Sequence, residues 1–115
     1  MNPTTKGDSL MDFDAFNVSL ELIKVLKPLV EQIQAHDSAQ AIQVRKAASS
    51  VAHNLAEGRR RVGRDRLHHF RISAGSAGEV KAALLVGQAW GWIDDAAAAL
   101  SLVDRLSAMC WRLSH

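Results

Sequence analysis

Apolar residues recur at intervals of three and four along nearly the whole chain. That period admits little besides amphipathic α-helices packed on one another. Phe13, Phe16, Leu20, Ile23, Leu26, Val30 and Ile33 form one stripe, and Val44, Ala48, Val51 and Leu55 a second. Leu67, Phe70, Ala74, Ala77, Leu84 and Gln88 form a third, and Ala96, Ala99, Val103, Leu106, Cys110 and Leu113 a fourth. Helices of about 18–27 residues span roughly 27–40 Å. Four of them with short connections predict an all-α fold, an up-down-up-down antiparallel four-helix bundle. The absence of tyrosine and the abundance of alanine and leucine favour helix as well.

Punctuation residues set the expected boundaries. Residues 1–11 read as a disordered tail and 12–115 as the bundle domain, with Met1 and Met11 both open as start codons. Asp12 or Asp14 is expected to cap the first helix, and Pro28 to kink it without ending it. Asp37 followed by Gln40 predicts a capping box at the start of the second, with Ser38 as the competing cap. Gly58 is a candidate C-terminal cap, with Gly63 the stronger break. The third helix is expected to start near Asp65 and stop at Gly91, and Asp94 to cap the fourth. Gly75 and Gly78 lie inside the third helix, where each costs about 1 kcal/mol relative to alanine. Close contact with the second helix would compensate.

With 115 residues the chain is one domain, short enough that assembly into an oligomer is expected. Its single cysteine, Cys110, excludes an intrachain disulfide and fits a reducing compartment. The polar start carries no signal-peptide pattern, and no apolar run approaches the roughly 18–20 residues of a membrane span. A cytoplasmic protein without membrane contact is expected.

Charge concentrates between the second and third helices. Residues 59–71 hold Arg59, Arg60, Arg61, Arg64, Arg66 and Arg71 with one acid, Asp65, so the segment is +5 and the rest of a chain of net charge +2 is −3. Such a run suits nucleic-acid phosphates, with His68 or His69 as an auxiliary contact. Only Phe70 is interleaved with the arginines, so backbone contact is expected rather than base stacking. The competing reading is a solvated helix end whose arginines pair with Glu57, Asp65 or neighbouring subunits.

Asn54/Glu57 and Ser76/Glu79 are each spaced to share a helix face. Together with Arg45 they are expected to form a polar network that sets helix register, in preference to acid–base chemistry. No nucleophile, phosphate loop or metal-ligand set accompanies the carboxylates, so no enzyme, catalytic residue, metal or cofactor is expected. His68 and His69 are adjacent and point to different faces. Cys110 reads as core. Trp90 and Trp92 are expected at one end of the bundle and Trp111 at the other, in core or subunit contacts.

Arg45, Ala47, Ala48, Ser50, the block Asn54-Leu55-Ala56-Glu57-Gly58, Phe70, Gly75, Ser76 and Glu79 follow a known order and spacing. Over about residues 12–114 the chain resembles the four helix bundle protein family, also called the 23S rRNA-intervening-sequence protein family. The resemblance implies a homopentamer of four-helix bundles around a central channel, with no established activity for most members. A related branch, the accessory protein of diversity-generating retroelements, binds nucleic acid and a reverse transcriptase. RNA or DNA, and a protein such as a reverse transcriptase, are therefore the implied partners. The function expected is a non-enzymatic accessory factor binding nucleic-acid backbone. The alternative is a protein-interaction scaffold without nucleic-acid contact.

Overall fold

The computed structural model describes residues 9–115. A 3-10 turn over Ser9–Asp12 leads into α1 (Asp14–His36), α2 (Ser38–Arg59), α3 (Gly63–Trp90) and α4 (Ala97–Ser114). Each helix packs on the next and α4 closes against α1, giving the expected all-α four-helix bundle. The tail expected over 1–11 lies outside the described residues for 1–8. Ser9–Asp12 is helical, and Leu10 packs against the core.

Neither Asp12 nor Asp14 caps α1. The N-cap is Phe13, which makes no side-chain cap bond. Its ring is buried 6.1 Å from that of Phe70, and its N–H donates to the Leu10 carbonyl, so packing fixes the entry into the helix. Phe13, Leu26, Val30 and Ile33 of the expected α1 stripe are buried, while Phe16, Leu20 and Ile23 are half-buried on its flank; Ala15, Val18, Ser19, Leu22 and Leu29 complete the buried face. Pro28 lies inside one continuous helix. It and Lys24, whose carbonyl the proline leaves without its helical donor, are both exposed residues.

One residue joins α1 to α2. The Asp37 N–H donates to the Ile33 carbonyl, and its Oδ1 accepts the Gln40 N–H at 3.0 Å, as the capping pattern predicts. Val44, Ala48, Val51 and Leu55 are all buried. Gly58, however, is not a cap. It lies buried within α2, which ends at Arg59 with Arg60 as C-cap. The break falls at Gly63, whose φ of 60° suits glycine.

α3 begins at Gly63 behind Val62, two residues before the expected Asp65, which instead sits in the first turn. Phe70, Ala77 and Leu84 of its expected stripe are buried, and Ser73, Ser76, Val80, Ala83 and Gly87 complete the face. Gly75 and Gly78 do not touch α2. Both are exposed, with nothing within 4 Å of where a Cβ would stand. The close approach of the two helices uses serines instead. Ser73 Oγ donates to the Val51 carbonyl at 3.0 Å, and Ser76 Oγ donates to Ser50 Oγ at 2.9 Å.

α3 stops where expected. Gly91 has φ 77°, and the Trp92 N–H donates to the Gly87 carbonyl at 2.9 Å. At the start of α4, Asp95 rather than Asp94 supplies the bond, with its Oδ1 accepting the Ala97 N–H at 2.9 Å. The fourth stripe is correct: Ala96, Ala99, Val103, Leu106 and Cys110 are buried and Leu113 half-buried. Burial pushes the Cys110 thiol up to about 11.

Candidate nucleic-acid interface

Alternating helix directions bring the start of α1, the α2–α3 turn and the end of α4 to one end of the bundle. The Phe13–Phe70 contact and an Arg71–Ser114 contact tie these parts together. All six predicted arginines lie here, but they have different tasks.

Three are engaged within the chain. Arg66 donates from Nε to the Gly58 carbonyl and from Nη2 to the Arg59 carbonyl, both at 3.0 Å, and so satisfies the last turn of α2. Arg59 lies over the Phe13 ring, 4.7 Å from its centroid. Arg61 bridges two acids, with Nη2 2.9 Å from Glu57 Oε2 and Nη1 2.6 Å from Asp65 Oδ2. The hydrogen bond from Arg61 lowers the Glu57 pKa despite some desolvation, and the bonds to Asp65 and Glu57 raise that of Arg61.

The other three are open. Arg60 is 74% exposed, with Glu57 at 3.7 Å as its ion-pair partner. Arg64 is exposed and has no partner among the described residues. Arg71 is exposed, and its Nη2 lies 3.4 Å from the Ser114 carbonyl, leaving its remaining donors free. His68 is also exposed, its ring 5.7 Å from that of His69.

The expected polar network is only partly formed. Asn54 Nδ2 donates to the Ser50 carbonyl at 3.0 Å and to Ser50 Oγ at 3.1 Å, and its Oδ1 stands 2.9 Å from His69 Nδ1. With Ser76 on Ser50, the network is Asn54, Ser50, Ser76 and His69. Glu57 belongs to the arginine cluster. Arg45 instead donates to Gln34 Oε1 on α1 at 3.0 Å, and Glu79 is exposed with no partner among the described residues. The helix rotation that buries Ser76 turns Glu79 outward into an open groove beside Gln40, Gln43 and Val86. Among the described residues no three His, Cys, Asp or Glu side chains are grouped to hold a metal ion.

Phe70 is buried over Gly58, as its place in the expected stripe predicts, and is unavailable to a base. Trp111, read as core or subunit contact, is 58% exposed at the arginine-bearing end, stacked on His115 at 4.3 Å. Arg112, also exposed, lies on the flank of α4 toward Asp12 and Asp14. The sequence carried a signal for this: after four alternating helices the chain returns to the end of the α2–α3 turn. At the opposite end His36, Trp92 and Trp90 stack in series, at 6.2 and 5.8 Å.

Fold and site together define a four-helix bundle with exposed arginines gathered at one end. The model of the 23S rRNA-intervening sequence protein family matches residues 11–112, and the chain belongs to that family. No curated protein and no solved structure matches it. No helix among the described residues is long and apolar enough to cross a membrane.

Proposed function

We propose that the protein is a non-enzymatic, homo-oligomeric accessory factor that binds the sugar–phosphate backbone of RNA or DNA at the α2–α3 end. The observation that carries this reading is the exposure of Arg60, Arg64 and Arg71 on one end of the bundle, where Arg64 has no partner among the described residues. Arginines held this way meet phosphates without a base code, so binding is salt-sensitive and weakly sequence-selective. His68 adds a further donor. Arg59, Arg61 and Arg66 act by shaping the turn that presents the others.

Assembly is supported by a separate feature. Ile72, Gly75, Gly78, Ala82, Leu85 and Val86 give α3 a second, exposed face that is mostly apolar, interrupted by Arg71 and Glu79. A face of this kind on a bundle helix suits contact with another protein surface. A homopentamer follows from the family resemblance and multiplies weak phosphate contacts.

The test is an anisotropy titration with labelled RNA and DNA at two salt concentrations, on protein of measured solution mass. The doubly reversed variant Arg60→Glu/Arg64→Glu should lose binding about tenfold or more and show a shallower salt dependence. Unchanged affinity in that variant, or no binding by the wild type at low salt, would sink the nucleic-acid reading. A mass of 12.5 kDa rather than about five times that would remove the pentamer.

The second reading is a scaffold for a protein partner, such as a reverse transcriptase, without nucleic-acid contact. It is favoured by the internal engagement of Arg59, Arg61 and Arg66 and by the exposed Trp90 stack at the other end. Under it the same reversal breaks the oligomer or partner binding and leaves no nucleic-acid affinity to lose.

A further inference from the structure

The end of α4 carries a flat, exposed aromatic surface that phosphate contact does not use. The Trp111 indole is 58% exposed. The His115 imidazole covers one face at 4.3 Å, nearly parallel at 9°. A ring nitrogen of His115, 3.0 Å from the Trp111 carbonyl and 3.3 Å from Ser114 Oγ, fixes that imidazole in place. Among the described residues no other ring and no cation engages the indole. It is a rigid aromatic plane with one side occupied from behind and the rest open.

One exposed cation, Arg71, lies near it. Lys81 Nζ contacts Asp104 Oδ1 at 2.8 Å, and Arg71 contacts the Ser114 carbonyl at 3.4 Å. These contacts are equally separated along both helices, so α3 and α4 run antiparallel without slip between them. Trp111 is therefore less than one turn, about 5 Å, along α4 from the residue that Arg71 touches. Arg71 also offsets the carbonyl dipole at the end of α4, which would otherwise repel an anion. Arg112, the next residue, is exposed but lines a groove with Asp12, Asp14 and Met109 toward the start of α1, so it is not part of the platform.

We infer that Trp111, backed by His115, is a base-stacking platform for single-stranded nucleic acid, with Arg71 holding a phosphate next to the stacked base. The inference rests on the nucleic-acid reading above and narrows it. Every base has a π-face, so stacking on an indole tolerates sequence. Bases inside a duplex already have both faces covered, so the platform selects unpaired strands, loops or ends. A surface with only arginines would not distinguish a strand with bases from one without.

The test compares three labelled probes on the full chain: a short single strand, its duplex, and the same strand with the bases removed. Each is titrated against wild type, Trp111→Ala and Trp111→Phe. The single strand should bind wild type on the order of tenfold more tightly than the base-free strand. Trp111→Ala should reduce the single strand to the base-free level and leave duplex binding unchanged, with Trp111→Phe restoring much of the difference. The indole fluorescence of wild type should be quenched by the single strand more than by the duplex. Equal binding of strands with and without bases, or a Trp111→Ala variant with full single-strand affinity, overturns the platform while leaving backbone binding intact. A changed solution mass of Trp111→Ala overturns it too, because the indole would then be a subunit contact. Failure of all three probes on wild type overturns the underlying reading and the platform with it.

Discussion

Gly58 and Phe70 fit as a socket and plug between α2 and α3: a Cβ built on Gly58 would lie 2.6 Å from Cε1 of the Phe70 ring. The ring is buried and held from its other side by Phe13, so it has little freedom to withdraw. Gly58→Ala should therefore destabilise the fold by about 1–3 kcal/mol through overpacking, even though alanine in an open helical site would gain about 1 kcal/mol. Denaturant titration checks the sign. Trimming the plug with Phe70→Leu should relieve the clash, so that adding Gly58→Ala in that background costs less than it does alone.

Gly75 and Gly78 should behave in the opposite way. Both are helical, exposed and surrounded by open space within the chain. Replacing each by alanine should stabilise the isolated subunit by roughly 0.5–1 kcal/mol. If α3 packs its exposed stripe against another subunit, the added methyl groups would also push that neighbour away. Thermal unfolding and solution mass, measured on the double variant, separate these effects. A higher melting temperature with an unchanged mass would exclude these glycines from an assembly contact.

Glu57 links stability to pH. Its folded pKa is depressed, chiefly by the hydrogen bond from Arg61, so the unfolded chain binds the proton more readily. The contribution is present above the ordinary glutamate pKa of about 4.3 and is lost as pH falls through the lower folded value. Glu57→Gln should therefore lower stability slightly at neutral pH, and the gap from wild type should close under acid. The side chain is well solvated, so the gap should shrink in high salt as well. Paired urea titrations at neutral and acid pH measure it.

Cys110 offers a probe of opening. The thiol is buried and its pKa is raised to about 11, so little thiolate exists near neutral pH. Native protein should react slowly with a thiol reagent at pH 8, and unfolded protein should react at the rate of a free cysteine. Fast native labelling would show that the end of α4 opens readily. Cys110→Ser should destabilise by about 1–3 kcal/mol if the buried hydroxyl finds no acceptor, which thermal unfolding would report.

The family motif gains a physical meaning from the contacts. Ala47, Ala48, Gly58, Phe70 and Ser76 are buried, and the last three, with Ser50, mediate direct contacts between α2 and α3. Asn54 joins the same seam through Ser50 and His69. Most of the pattern that marks the chain as a family member is therefore a code for packing two helices closely. The exposed arginines Arg60 and Arg64 lie outside that packing code.

By itself the sequence determined the four helices, the single-residue joint at Asp37, the stops at Gly63 and Gly91, and the buried line of α4. Each depends on interactions within a turn or two of the chain: the helical period, a side chain capping its neighbour's N–H, or a glycine taking positive φ. The tertiary structure decided which glycine is a socket, which serines join α2 to α3, which arginines are committed, and that Trp111 is exposed and stacked on His115. Those outcomes depend on helix rotation and register, and they pair residues such as Arg71 with Ser114 that are distant along the chain. A small rotation of an amphipathic helix leaves its periodic pattern intact but changes which of two neighbouring side chains faces the core. Ser76 is buried and Glu79 exposed for that reason, although a local pattern places both on one face.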